Sequence, residues 1–231
     1  MAEERRIVTV LFCDVADSTA LGEALDPEDL RLLLGQYYEI AREIIGAYGG
    51  TLEKFIGDAV MAIFGLPRAH GDDAERAVAA SLAMRERLAS VPALAPLALR
   101  FGISTGEVVA SQDTSRGDFL VTGDAVNLAA RLQQAANVGE ILCAARTARA
   151  TARRFEFATV RTLTLKGKAA AVDAYPLTAP RAAPAQGRPP MLGRDSDLQQ
   201  LELAAQRAFI ESRPQLVTVI APAGTGKTRL I

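Results

Sequence analysis

Phe55-Ile56-Gly57-Asp58-Ala59-Val60-Met61-Ala62-Ile63-Phe64 decides the fold. Thr51 to Ile56 and Ala59 to Gly65 are strand-like runs joined only by Gly57-Asp58. A two-residue connection with glycine first suits a type II′ hairpin, so two antiparallel neighbours are expected here. Upstream, Ile7 to Cys13 is a continuous apolar run, the signature of a strand covered on both faces, and it stops on Asp14. Between the two lies a helical pattern: from Leu30, residues Leu33, Leu34, Tyr37, Ile40, Ala41, Ile44, Ile45 and Tyr48 recur at three- and four-residue steps. Asp26-Pro27 is its start signal and Gly49-Gly50 its stop. Downstream, a second helix is expected from about Asp72 to Leu88 and a strand from Ala98 to Ala110. The order βαββαβ makes this an α+β protein with a ferredoxin-like, palm-type core, continued by extra C-terminal strands and helices.

That topology gives two aspartates a shared address. A right-handed crossover makes the first two strands parallel, so the end of the first strand and the tip of the hairpin fall at one edge of the sheet. If the third strand pairs with the first, Asp14 and Asp58 become neighbours. Each alone has a plain reading: Asp14 could cap a helix beginning near Ser18, and Asp58 could be an ordinary turn residue. Together they read better as a metal centre, because adjacent carboxylates repel unless cations lie between them. Oxygen-only ligation favours Mg²⁺ or Mn²⁺ over Zn²⁺.

A third constellation is Thr122-Gly123-Asp124-Ala125-Val126-Asn127-Leu128-Ala129-Ala130-Arg131. Phe119 to Val121 reads as strand and Asp124 onward as helix. Asn127 and Arg131 are four apart and share a helix face, where an amide and a guanidinium can meet one ligand such as a polyphosphate and its ribose. Standing alone, the pair would read as a solvated polar stripe.

From about Arg5 to Leu177, some three quarters of the chain, these motifs resemble a class III nucleotidyl cyclase catalytic domain, the adenylyl and guanylyl cyclase family. Phe12-Cys13-Asp14-Val15 resembles the first metal motif, Lys54-Phe55-Ile56-Gly57-Asp58 the second, and Gly123 to Arg131 the transition-state helix. The resemblance implies that Asp14 and Asp58 bind two Mg²⁺ ions, with Mn²⁺ as a substitute. It implies that Asn127 orients the ribose of ATP and that Arg131 meets the charge developing at the α-phosphate. Lys166, in Leu165-Lys166-Gly167-Lys168, matches the terminal-phosphate lysine, and Ser18 and Thr19 count among the substrate-binding positions. Lys54 stands where adenylyl cyclases direct a lysine at adenine and guanylyl cyclases place Glu. Its partner position, usually Asp or Thr in adenylyl cyclases, is Leu120, which has neither donor nor acceptor. The implied activity is ATP to 3′,5′-cyclic AMP and pyrophosphate; the alternatives are a guanylyl cyclase or a catalytically weak nucleotide-sensing module. The family builds each site between two cyclase domains, so a chain carrying both sets of residues implies a homodimer.

The composition changes after Tyr175. Pro176 to Pro190 holds five prolines and no hydrophobic periodicity, so it reads as an exposed, partly extended linker. The expected organisation is a cyclase domain over 1–177, a Pro/Ala-rich linker over 178–191, and the front part of a P-loop NTPase domain over 192–231. In that last part a helical segment carries Leu198, Leu201, Leu203, Ala205 and Phe209. Leu216 to Ile220 reads as a strand running into Ala221-Pro222-Ala223-Gly224-Thr225-Gly226-Lys227-Thr228, a phosphate-binding loop with Ala in place of its first Gly. Backbone amides after Gly224 and Gly226 with Lys227 would cradle phosphates, and Thr228 would reach Mg²⁺. The arrangement resembles the start of an AAA or STAND ATPase, truncated at Ile231, so further C-terminal domains are expected in a longer protein.

The remaining composition bounds partners and compartment. A net charge of −1 gives no electrostatic case for nucleic acid. Cys13 and Cys143 read as buried free thiols, and the single histidine, His70, as a loop residue before a helix. No apolar run reaches membrane-spanning length, so no membrane partner is expected and the cytoplasm is the default location.

Overall fold

The computed structural model describes residues 3–94, 96–113, 118–164, 170–181 and 193–220. Lys166 and the loop residues Gly224, Gly226, Lys227 and Thr228 lie outside them, as do the side chains of Thr19 and Leu120. The chain divides into two compact units, Met1–Ala182 and Ala183–Ile231.

In the first unit the elements run β1 (Glu3–Val15), α1 (Ser18–Ala24), α2 (Pro27–Ala47), β2 (Thr51–Ile56), β3 (Ala59–Phe64), α3 (Asp73–Ala89) and β4 (Leu99–Asp113). They continue with β5 (Asp118–Thr122), α4 (Asp124–Ala135), β6 (Ile141–Ala144), α5 (Ala145–Thr151), β7 (Phe155–Phe157), β8 (Arg161–Leu163) and β9 (Val172–Pro180). The sheet order is β2-β3-β1-β4-β6-β9-β7, with β5 on β4 and β8 on β9. β3 is antiparallel to both β1 and β2, so β1 and β2 run parallel and the βαββ part of the expected topology stands.

Local chemistry sets the boundaries. Asp26 caps α2 by accepting the Glu28 amide at 3.0 Å, and Pro27 opens the first turn with no amide to satisfy. The β2–β3 connection is the two-residue loop expected: Ile56 pairs with Ala59, and Gly57 takes φ 62°. Only glycine enters that region without steric cost.

β1 explains its own apolar run. Leu11, Cys13 and Val15 point into a core shared with α2 and α3, while Val8, Val10 and Phe12 point to the opposite face, under α4. Both faces are covered, and the one polar residue in the middle of the strand, Thr9, is buried with its hydroxyl hydrogen-bonded to that of Thr105 at 2.9 Å. By the same alternation Asp14 falls on the α4 side, next after Phe12 on that face.

Three features differ from the sequence-based expectation. β1 begins at Glu3, because its charged start is paired residue for residue with the far half of β4 (Glu3 with Ser111, Arg6 with Val108) and backbone pairing is indifferent to side-chain polarity. β9 runs to Pro180, so Thr178, Ala179 and Pro180 extend a strand whose Ala174 and Leu177 are buried. Leu216 to Ile220 forms no strand: these residues pair with no neighbour among the described residues, and Leu216 and Ile220 are exposed. In that second unit α6 (Asp195–Ile210) has the expected helix, with no buried residue.

α4 lies unusually close to β4. A methyl group added at Gly102 would collide with the carbonyl oxygen of Ala129 and the amide nitrogen of Gln133, both backbone atoms of α4. Gly102→Ala must therefore push the helix off the sheet and is expected to cost about 3 kcal/mol. Gly35, in the interior of α2, has open space around it. Gly35→Ala should stabilise by about 0.5–1 kcal/mol through helix propensity. Urea unfolding of the two variants checks both signs.

Candidate active site at the edge of the sheet

The pairing of β1 with β3 ends at Cys13 opposite Val60. Asp14 follows on β1 and Asp58 lies in the turn two residues before Val60, close enough for its hydrogen bond and charge to act on the Asp14 carboxyl. Asp14 does not cap α1; the residue before that helix is Asp17, in the left-handed region at φ 56°. Asp58 occupies the hairpin turn, yet its Oδ2 is buried without a hydrogen-bond partner. A turn aspartate with no other duty would put both oxygens in water.

Asp14 has partners of its own. Its Oδ2 accepts from Gln133 Nε2 at 2.9 Å and from Arg100 Nη2 at 3.3 Å, and the carboxylate is 20% exposed. Arg100 stands directly opposite Asp14 in the β1–β4 register, and Gln133 reaches down from α4 with 4% of its surface exposed. Neither was singled out in the sequence. Arg100 needed the strand register across 86 residues to be known. The one available signal for Gln133 was Gly102, a strand glycine where another backbone approaches closely.

These partners do not neutralise the pair. Burial, then the hydrogen bond and charge of Asp58, push the Asp14 carboxyl up from 3.8 to about 6, with Arg100 and Gln133 pulling the other way. The arrangement is short of positive charge. Among the described residues no group of three or more His, Cys, Asp and Glu side chains converges, which leaves two carboxylates and one orphaned buried oxygen. That donor set fits Mg²⁺ or Mn²⁺, which take one or two carboxylates and complete their shell with water and substrate phosphate.

The remaining candidates sit apart from this pair. Asn127 is exposed on α4, and Arg131, half-buried, donates to Gln134 Oε1 at 3.3 Å. Gln133 faces Asp14 from the same helix, but the Asn127–Arg131 face is turned away from the sheet. Lys54 is exposed on β2 and pairs with Glu53 at 3.2 Å. Among the described residues no hydrogen bond or ion pair joins Asn127, Arg131 or Lys54 to either aspartate. Ser18 opens α1, half-buried, with the backbone of Thr19 following. Leu120 has its backbone in β5, opposite Ser111.

The raised carboxyl makes a signed prediction. In metal-free protein the folded state holds a proton on Asp14 that the unfolded chain has released between about pH 4 and 6. The associated stability is present below pH 4 and is lost as the pH rises through about 6. Asp14→Asn removes that loss, so at pH 7 in EDTA it should stabilise by about 1 kcal/mol after screening, roughly 2–4 °C in Tm. The difference from the parent should shrink toward pH 4; a Tm difference constant with pH would contradict the assignment.

Comparison with known proteins agrees with this geometry. The model of the adenylate and guanylate cyclase catalytic domain matches residues 1–179. Adenylate cyclase 1 of Rhizobium meliloti is 32% identical over 181 residues, 74% of this chain and 27% of its own length. An adenylate cyclase of Mycobacterium tuberculosis is 33% identical over 144 residues, 61% of this chain and 32% of its own. The chain thus spans about a third or less of these curated relatives. Among solved structures, the adenylyl cyclase CyaB of P. aeruginosa superposes with TM-score 0.71 at 32% identity, covering 79% of this chain and 99% of that one. The guanylyl cyclase Cya2 gives 0.74 at 31% identity, covering 80% and 98%. The fold with its mixed sheet, the aspartate pair and the family match converge: this chain belongs to the adenylate and guanylate cyclase catalytic-domain family.

Proposed function

We propose that the chain is an adenylyl cyclase that converts ATP to 3′,5′-cyclic AMP and pyrophosphate at sites formed between two copies of itself. The observation that carries the reading is the Asp14–Asp58 pair, two carboxylates brought together at a sheet edge with too few cationic partners. Asp14 and Asp58 would hold two Mg²⁺ ions, which supply Lewis acidity to the ribose 3′-oxygen and the phosphates. In the reaction the 3′-oxygen bonds to the α-phosphorus, the bond from that phosphorus to the bridging oxygen breaks, pyrophosphate leaves, and the hydroxyl proton passes to solvent. Asn127 orients the ribose. Arg131 places a fixed guanidinium where negative charge grows at the α-phosphate, so no reorganisation is needed at the moment of reaction. Lys54 donates to an acceptor on adenine, and Lys166 meets the terminal phosphate.

Geometry as well as resemblance supports the homodimer. Asn127 and Arg131 face away from the aspartates of their own chain, so one chain alone leaves each half of the site unfilled. An isologous pairing supplies each half from a different copy, twice. Leu120 motivates a second reading, since an apolar residue at the base-recognising position removes a contact with adenine. On that reading the domain is a guanylyl cyclase, or binds nucleotide as a sensor with little turnover. The Gly224-Thr225-Gly226-Lys227-Thr228 loop is proposed, on sequence alone, as the start of a further nucleotide-binding domain.

Product formation from ATP and from GTP, each with Mg²⁺ or Mn²⁺, tests the reading. Cyclic AMP should form from ATP. Asp58→Ala should abolish it, and Arg131→Ala should lower kcat by about 10²–10³-fold. Mixing Asp14→Ala with Asn127→Ala protein should restore part of the activity through one intact site. Tight ATP binding with no cyclic product in either metal would replace the enzyme by the sensor.

A further inference from the structure

α2 sets two consecutive tyrosines against the two segments that end on the aspartates. Tyr37, fully buried, donates its hydroxyl to Cys13 Sγ at 3.4 Å, and Cys13 immediately precedes Asp14. Tyr38, half-buried, donates its hydroxyl to the carbonyl oxygen of Gly57 at 2.7 Å, and Gly57 immediately precedes Asp58. The rings support one another: Tyr38 lies 5.4 Å from Tyr37 and 4.3 Å from Phe55 of β2, and the Arg42 guanidinium stands 5.6 Å over Phe55. One and two turns beyond Tyr37, Ala41 and Ile45 are fully buried, so the helix that carries the tyrosines is anchored in the core.

The bond to Gly57 answers a mechanical problem. The pairing of β3 with β1 ends at Val60, two residues short of Asp58, and repulsion between the carboxylates drives the hairpin tip away from β1. Nothing in the β2–β3 ladder beyond the Ile56–Ala59 pair opposes that motion. We propose that Tyr38, backed by Tyr37, is a positioning residue that ties the hairpin tip to α2 and so fixes the separation of Asp58 from Asp14 for a divalent cation. The inference rests on reading the aspartates as the metal carboxylates, and adds to it the group that holds them in register.

Tyr38→Phe removes the hydroxyl and keeps the ring. Binding of Mn²⁺ alone to the full chain, followed by the electron paramagnetic resonance of free Mn²⁺, should weaken about three- to tenfold, the worth of one hydrogen bond. Tm in EDTA should stay within about 2 °C of the parent, which separates positioning from general stability. Phe55→Leu, which leaves the hydroxyl but removes the ring beneath Tyr38, is the second variant and should weaken Mn²⁺ binding in the same direction. Asp58→Ala in the same titration separates the two levels of the account. If it loses Mn²⁺ while Tyr38→Phe and Phe55→Leu bind as the parent does, the tyrosine assignment is overturned alone. If Asp58→Ala binds Mn²⁺ as the parent does, the metal reading falls and this inference falls with it.

Discussion

Two carboxylates held side by side at a half-buried sheet edge are the constraint around which this domain is arranged. Like charges at hydrogen-bonding distance repel, and the surroundings answer in three ways. Asp14 is pushed toward its protonated form. Arg100 and Gln133 each give a donor to its Oδ2. The hairpin tip carrying Asp58 is tied to α2 through Tyr38. None of these removes the need for a cation, because Asp58 keeps a buried oxygen without a partner. A fold seeking stability alone would place an amide or an apolar residue at one of the two positions.

α4 gives the site a second level of organisation. Gly102 and Gly106 on β4 let the helix settle on the sheet with Ala129 and Ala125 above them. That close approach brings Gln133 within reach of Asp14. The same helix carries Asn127 and Arg131 on another face, away from the aspartates. One rigid element therefore touches the carboxylate of its own chain while presenting amide and guanidinium outward. In the proposed pairing of two copies, the outward groups serve the opposite site, so the position of each metal carboxylate and the pose of the opposite transition-state groups depend on one helix.

What the sequence made legible was local. The hairpin boundaries at Ile56 and Ala59, the α2 cap at Asp26 and the apolar run of β1 follow from turn chemistry, capping and periodicity within a dozen residues, and the structure has all three. Asp14 and Asp58 could be placed together because the crossover rule and the hairpin leave few topologies. Arg100, Gln133 and Tyr38 were invisible for the converse reason. Their contacts depend on strand register, on the close seating of α4 and on which face of α2 meets the hairpin, none of which a linear pattern encodes. The Leu216–Ile220 run shows the opposite failure: its strand propensity meets no pairing neighbour among the described residues, and no strand forms. β-propensity describes fit to a sheet surface, and that surface must exist.

The most direct measurement is a crystal structure of the full chain grown with Mn²⁺ and a non-hydrolysable ATP analogue, read by the anomalous scattering of manganese. The account predicts manganese between Asp14 and Asp58, within about 2.0–2.3 Å of an oxygen from each. Asp58 Oδ2 should be among the ligands, and the nucleotide phosphates should lie beside the metal. Manganese bound elsewhere, or a nucleotide seated with both aspartates still in their metal-free contacts, would contradict it.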